Sequence, residues 1–204
     1  ITQNKNGYGY AKKRGIVDMD IQKMVDAELQ KGYSGDNALA KVCQDIVLKA
    51  IANSSLNRNV TIKGGVVMRS KTNNVRRATQ DSFIEKLNCL NGIKIGKIGN
   101  IEELKQQDYK GRRVHVQIED ENGFKIQSKI DLGVHNRLEI EQEEYCFDIA
   151  YDNEGASLLI NSNEQMFAEK LRSLLRFGPL STRVKDVFDL YYLKDTESDR
   201  KRVV

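Results

Sequence analysis

The sequence predicts an α+β protein, in which a mixed β-sheet is flanked by helices and followed by a helical C-terminal part. Apolar and polar residues alternate over Arg113–Glu119, and Asn122-Gly123 is a hairpin signal that leads into a return strand. On both sides of this hairpin, apolar residues recur three and four positions apart, as in amphipathic helices. We therefore expect a core with its N-terminal helices over residues 1–160, and a helical segment over residues 161–204 that completes the functional site.

Two helices are predicted before the first strand. Over residues 20–30, one helical stripe contains Ile21, Met24, Val25 and Leu29. A stronger stripe contains Leu39, Val42, Cys43, Ile46, Val47, Ala50 and Ile51. Either Ser34 or Asp36 is expected to cap this second helix. The polar break at Asn57–Asn59 then indicates a strand that starts at Val60.

The return strand of the hairpin presents one apolar and one polar face. The apolar face contains Phe124, Ile126, Ile130 and Leu132, and the polar face contains Lys125, Gln127, Lys129 and Asp131. Asp131 is thus displayed by a strand close to its end at Gly133, where an ordinary solvated position is the simplest interpretation. Two further short strands are predicted at Glu144–Ala150 and Ser157–Ile160.

The last part of the chain is predicted to be helical. Ser162-Asn163-Glu164-Gln165 is a capping box that opens a helix through about Arg176, and Gly178-Pro179 ends it. Its expected buried stripe contains Phe167, Leu171, Leu174 and Leu175, with Lys170 at the margin. Ser181 or Thr182 is expected to cap a second helix. Asp186 and Asp189 lie three residues apart on one face of that helix.

Composition limits the class of protein. Of the 204 residues, 39% are hydrophobic and 30% are charged, which is typical of a soluble globular protein. No apolar run is long enough to span a membrane and no secretory signal is present, so we expect a cytoplasmic protein. The odd, widely spaced cysteines Cys43, Cys89 and Cys146 are expected to be reduced core residues rather than zinc ligands. A net charge of +4 permits an RNA or nucleotide partner without requiring one.

The stretch Thr61–Asp81 has the residue types of a phosphate site. Gly64 and Gly65 allow a turn that exposes backbone N–H groups to an anion. Further on, Arg76-Arg77 can neutralise phosphates and Asp81 can hold a divalent metal. Taken singly, a Gly-Gly pair is more often a simple turn, and basic residues more often belong to a solvated face. Together they favour phosphoryl or nucleotidyl transfer.

Four motifs in this order resemble the AbiEii-like nucleotidyltransferase family. They are Lys63-Gly64-Gly65, Arg77-Ala78-Thr79-x-Asp81, Ala168-Glu169-Lys170-Leu171 and Arg183-x-Lys185-Asp186-x-x-Asp189-Leu190. The resemblance runs from about Ala38 to Leu193. The family contains toxins of toxin–antitoxin and abortive-infection systems, in the DNA polymerase β-type nucleotidyltransferase superfamily. It implies a nucleotidyltransferase-like fold and transfer of a nucleoside monophosphate from a metal-bound NTP. It also implies a cognate antitoxin and, as in some members, tRNA 3′ ends as the RNA acceptor.

The resemblance also implies roles for individual residues. The implied nucleotide-binding residues are Lys63, Gly64, Gly65, Arg76, Arg77 and Thr79. The implied catalytic residues are Asp81, Asp131, Lys170 and Asp186. Among these, Asp81 and Asp131 would bind Mg²⁺ or Mn²⁺, Lys170 would neutralise the triphosphate, and Asp189 would brace its helix. Surface placement of Lys170 and a plain helix salt bridge at Asp186 are the simpler alternatives.

One departure from the family pattern follows Asp81. The family has a second Asp two residues later on a strand, whereas Ser82–Leu87 has the pattern of an amphipathic helix. Either the chain is a non-catalytic member, or a segment after Asp81 is absent from this sequence, which is the explanation we expect. A nucleotide- or partner-binding module and a small-molecule nucleotidyltransferase of the aminoglycoside type therefore remain the alternatives to an RNA-modifying toxin.

Overall fold

The computed structural model describes residues 19–63, 84–104, 110–134, 142–177 and 184–200. Within these ranges the chain is an α+β protein, as the sequence predicts. The helices are α1 (Ile21–Gln30), α2 (Gly35–Asn53), α3 (Ile84–Leu87), α4 (Asn163–Phe177) and α5 (Val184–Arg200). The strands are β1 (Thr61–Ile62), β2 (Ile93–Leu104), β3 (Lys110–Asp120), β4 (Lys125–Val134), β5 (Gln142–Ile149) and β6 (Asp152–Asn161).

The strands form two small sheets rather than the single mixed sheet that the sequence suggests. In the first sheet, β6 lies between β1 and β5, parallel to β1 and antiparallel to β5. The second sheet is an antiparallel meander in the order β2-β3-β4. Mixed pairing is thus confined to the first sheet, because β2, β3 and β4 pair with their neighbours along the chain.

Helix α2 connects the two sheets, since it contacts β5 and β6 of the first and β4 of the second. Six of the seven residues in its predicted stripe are buried, and only Leu39 is partly exposed. Helix α1 packs on α2 and begins at its cap Asp20, whose side chain accepts a hydrogen bond from the Lys23 amide at 3.0 Å. Both predicted N-terminal helices are confirmed.

The hairpin of β3 and β4 also forms as predicted. Val114, Val116 and Ile118 are buried, and Ile118 is paired with Ile126 across the strands. Gly123 has a φ of 81°, which glycine adopts without strain, and its amide donates to the Asp120 carbonyl at 3.0 Å. The turn signal in the sequence therefore corresponds to the turn in the structure.

Strand β2 is absent from the sequence-based description. Its lysines and glycines are depleted in strands, and Gly99 has a φ of 66° next to an irregular register after Ile98. Asn88 holds the strand to α3, because its Oδ1 accepts from the Ile95 amide at 2.7 Å and its Nδ2 donates to the Ile84 carbonyl at 2.9 Å. Side-chain to backbone bonds of this kind leave no periodic signal.

The predicted cap of α4 is confirmed, but its predicted buried stripe is wrong. The Ser162 hydroxyl accepts from the Gln165 amide at 3.1 Å. In contrast, Phe167 and Leu171 are exposed by more than a third and Leu175 by 75%. The helix is instead held through Met166 and through polar contacts of its residues 169 and 170, which turn the apolar stripe away from the core.

The cysteine prediction holds only for Cys43, which is buried, whereas Cys89 and Cys146 are exposed; all three are free thiols. No described helix combines the length and apolar character that a membrane span needs. The expectations for Gly178-Pro179 and for the Ser181 or Thr182 cap fall outside the described residues.

Candidate functional site

Polar residues collect where the parallel strands β1 and β6 end. Lys63 directly follows β1, and Asn161 is the last residue of β6. Because the register pairs Ile62 with Ile160, these two ends lie at the same edge of the sheet. The chain passes from β6 into α4 through the single capping residue Ser162. In sheets with parallel strands, this carboxyl edge is the usual place for a ligand.

Glu169 of α4 gathers three donors at this edge on one carboxylate oxygen. Its Oε1 accepts from Lys63 Nζ at 3.1 Å, from Asn161 Nδ2 at 3.2 Å and from Gln165 Nε2 at 3.0 Å. We refer to these four residues as the Glu169 junction. The side chains of Lys63 and Glu169 are 26% and 36% exposed, so both are partly accessible to solvent.

The next residue, Lys170, connects α4 to α5. Its Nζ lies 3.3 Å from Asp186 Oδ1 and 2.6 Å from Asp189 Oδ2. All three side chains are largely buried. We refer to Lys170, Asp186 and Asp189 as the Lys170 cluster. The structure thus brings together the predicted site residues Lys170 and Asp186, and adds Asp189 as the closer partner.

The charges of these two groups are nearly balanced. Two ammonium groups, Lys63 and Lys170, face three carboxylates, which leaves a formal net charge of −1. A triphosphate is strongly negative, so binding here needs further positive charge. The predicted sources of positive charge are a divalent cation and the side chains of Arg76 and Arg77, which lie outside the described residues.

Asp131 lies elsewhere, in β4 of the second sheet. It forms a two-pronged pair with Arg113 on β3, with Nε to Oδ1 at 2.6 Å and Nη2 to Oδ2 at 2.8 Å. The hydrogen bond to Asp131 raises the pKa of Arg113 above its ordinary value. Both oxygens of Asp131 therefore already accept hydrogen bonds, and its role as a metal ligand stays a prediction.

No metal-binding group of three or more His, Cys, Asp or Glu side chains occurs within the described ranges. Six of the predicted site residues lie outside the described ranges: Gly64, Gly65, Arg76, Arg77, Thr79 and Asp81. Asp81, one of the two predicted metal ligands, is therefore outside the part of the chain that the structure describes.

Four residues of these two groups are not among the predicted site residues: Asn161, Gln165, Glu169 and Asp189. Glu169 was visible inside the Ala168–Leu171 motif, and the three-residue spacing placed Asp189 beside Asp186. For Asn161 no signal was available, because an Asn after an apolar strand usually indicates a turn. Its contact with a glutamate eight residues later depends on how α4 folds back on the strand.

Comparison with known families now defines the class of protein. A family model described as nucleotidyl transferase AbiEii toxin of type IV toxin–antitoxin systems matches residues 80–204, more than half of the chain. The chain belongs to this AbiEii family, which confirms the resemblance. The match includes the Lys170 cluster and Asp131 but starts after Lys63-Gly64-Gly65. Neither the curated proteins nor the solved structures gave a significant match.

Proposed function

We propose that this chain transfers a nucleoside monophosphate from an NTP to RNA, at the 3′ end of tRNA, and that its cognate antitoxin counteracts the resulting block of growth. One observation carries the proposal. Three motifs that lie far apart in the sequence meet at one place: Lys63 contacts Glu169, 106 positions away, and the adjacent Lys170 contacts Asp186 and Asp189. Convergence of this kind is what a site requires and what separate surface salt bridges do not explain.

The two lysines have the chemistry for the nucleotide. An ammonium group is a compact donor of hydrogen bonds to phosphate oxygens, and Lys63 and Lys170 extend from neighbouring elements at the carboxyl edge of β1 and β6. Lys63 also leads directly into Gly64-Gly65, whose backbone N–H groups are the proposed phosphate cradle. Asp186 and Asp189 hold Lys170 in place from α5.

We propose Mg²⁺ or Mn²⁺ as the cofactor, with Asp81 and Asp131 as its ligands. The support is electrostatic: the described part of the site has a formal charge of −1, so a triphosphate needs a compensating cation. Bound with the NTP, such a cation would neutralise charge on the phosphates.

The acceptor is proposed from the family and from charge. The net charge of +4 is compatible with RNA, and a cytoplasmic location is part of the proposal because NTPs and tRNA are the proposed substrates. A non-catalytic nucleotide- or partner-binding module is the second candidate, because Asp81 is not followed by the second carboxylate of the family pattern. A small-molecule acceptor is the third outcome that the experiment must separate.

The test is incubation of the protein with Mg²⁺, each α-labelled NTP in turn, and total cellular RNA. We expect label in a tRNA-sized band with one or more NTPs. Asp81→Ala and Lys63→Met should abolish the label without unfolding the protein. Lys97→Met is the matched control, because Lys97 is an exposed lysine in β2 of the second sheet.

The outcomes discriminate among the three candidates. Label that moves into low-molecular-weight compounds instead of RNA would favour a small-molecule acceptor. No label in any fraction, with NTP binding retained, would favour the binding module. A toxic Asp81→Ala variant in a growth assay would contradict the enzymatic mechanism of toxicity.

A further inference from the structure

We propose that Glu169 is a positioning residue: it fixes the ammonium group of Lys63 for the phosphates of the nucleotide, and Asn161 and Gln165 hold Glu169 in that position. This inference rests on the proposed function, because it assigns Lys63 to the nucleotide. It gives a role to a carboxylate that would otherwise only repel an anionic ligand.

The first support is the geometry of the Glu169 junction. Three donors from three places converge on one oxygen: Lys63 after β1, Asn161 at the end of β6, and Gln165 one helical turn earlier in α4. Gln165 fixes the glutamate within its own helix, and Asn161 fixes it to the sheet. A carboxylate held from two sides has one preferred orientation, so the lysine that pairs with it is oriented as well.

The second support is the loss of stability that the buried polar side chain of Asn161 causes. Its side chain is 0% exposed, at the end of a strand that buries Leu158 and Ile160. Its Oδ1 is buried and has no hydrogen-bond partner in the structure as described. An unpaired buried acceptor lowers stability, and an apolar side chain of similar size would avoid this loss. Donation to Glu169 is the contact that accounts for a polar residue at this position, and costs of this kind are typical of functional sites.

The third support is the place of Lys63 in the chain. Lysine has a long flexible stem, and restricting it on ligand binding costs conformational entropy. The pair with Glu169 restricts it beforehand, immediately before the predicted phosphate cradle at Gly64-Gly65. The pair remains partly exposed, and the inference requires phosphate oxygens to contact the ammonium group while Glu169 holds it.

The experiment measures how NTP protects Lys63 from acetylation, by mass spectrometry across a titration of NTP with Mg²⁺. In Glu169→Gln the acceptor oxygen is kept and the charge is lost. We expect the NTP concentration for half-protection to rise about tenfold, and acetylation of Lys63 without NTP to become about threefold faster. Glu164→Gln, an exposed glutamate in the first turn of the same helix, is the matched control and should change neither value.

Asn161→Leu tests the second support, because it should weaken NTP binding without lowering the stability of the protein. We expect its melting temperature to equal or exceed that of the wild type, while the half-protection concentration rises several-fold. A role in stability alone predicts that both properties worsen together. This variant also keeps the inference testable if Glu169→Gln fails to fold.

Three results would overturn the inference: no protection of Lys63 by any NTP, unchanged half-protection in Glu169→Gln, or the same rise in Glu164→Gln. The readout does not need catalysis. Protection with the expected shifts but without transfer to any acceptor would support the role of Glu169 and contradict the proposed transferase activity. Transfer by the wild type with no effect of Glu169→Gln would do the reverse.

Discussion

The two sheets of this protein use charged residues in different ways. In the second sheet, Arg113 and Asp131 pair with each other across adjacent strands of one sheet. At the carboxyl edge of the first sheet, Lys63 lies beyond the end of its strand and pairs with a helix residue, Glu169. The first pair lies within a sheet, whereas the second leaves partly exposed groups at an edge where two strands end and a helix begins.

This difference indicates that the second sheet mainly stabilises the protein, whereas the edge of the first sheet contains the proposed site. Apart from changes to Asp131, the proposed metal ligand, mutations in the second sheet should change the stability of the protein and spare the site. Mutations at the edge of the first sheet should change activity more than stability. The following predictions test that difference, starting with the largest expected effect.

Ile118→Ala should remove a fully buried side chain from the middle of the second sheet. The expected loss is about 3 kcal/mol of unfolding free energy, because the removed atoms leave a cavity. Urea unfolding measures it, and Gln117→Ala, on the opposite face of the same strand, should cost less than about 1 kcal/mol. A loss for Ile118→Ala as small as that for Gln117→Ala would refute a core centred on β3.

Lys170→Met, at the edge of the first sheet, should lower the activity and leave the fold intact. Asp186 and Asp189 lose their common partner, and the proposed nucleotide site loses an ammonium group. We expect kcat/KM for nucleotidyl transfer to fall about a hundredfold while the fold is retained. The control is Lys194→Met, an exposed lysine of the same α5 helix. Activity of Lys170→Met within about threefold of the wild type would remove Lys170 from the proposed site.

Asp120→Ala should weaken the junction of the second sheet with α1. The buried carboxylate accepts from the Ile21 amide at 3.0 Å and from the Phe124 amide at 2.9 Å, so it holds both a helix start and the hairpin turn. We expect a loss of about 2 kcal/mol in chemical denaturation. Asp120→Asn keeps one acceptor oxygen and should lose less. Equal losses for the two variants would mean that the charge, not the hydrogen bonds, matters.

Asp45 should give the smallest effect, visible as a pH dependence at the end of the first sheet remote from the site. Burial raises the pKa of Asp45 above its ordinary value of 3.8, although Lys41 and the Ala150 amide act in the opposite direction. A raised pKa means that the folded state binds the proton more readily than the unfolded state. The contribution of Asp45 to stability therefore improves as pH falls from above the raised pKa to below 3.8.

Melting temperatures of the wild type and of Asp45→Asn measure this dependence between about pH 7 and about pH 4. As the pH is lowered, the melting temperature of the wild type should rise relative to that of Asp45→Asn. Asp26→Asn, at an exposed position of α1, is the control for the effect of the same substitution elsewhere in the protein. If the melting temperature of the wild type instead rises relative to that of the variant as the pH is raised, the ion pair with Lys41 has a larger effect on the pKa of Asp45 than burial has.

Sequence patterns predicted the elements whose signals are local. The stripe of α2 and the Asn122-Gly123 turn depend on residues close together in the chain, and both were confirmed. Strand β2 was missed because it owes its order to Asn88 and to pairing with β3 rather than to its own composition. Periodicity found the apolar stripe of α4 but not its exposure, because the helix is oriented by contacts of Glu169 and Lys170.

The site was predicted in part for the same reason. The motifs supplied Lys63, Lys170 and Asp186, since each motif is a local pattern. Which residues pair was not predictable, because the pairs connect β1 to α4 and α4 to α5. Asn161 is the clearest case: its importance follows from burial and an unpaired oxygen, which a sequence alone does not reveal.

The order of synthesis has a consequence for a family of toxins. Lys63 emerges from the ribosome early, but its partner Glu169 is made 106 residues later, and the α5 partners of Lys170 later still. Strand β1 has only two paired residues, and its neighbour β6 is also made late. The Glu169 junction therefore cannot assemble before α4 has been made, and the Lys170 cluster cannot assemble on a nascent chain that stops short of α5, so truncated products of interrupted translation would lack the complete proposed site.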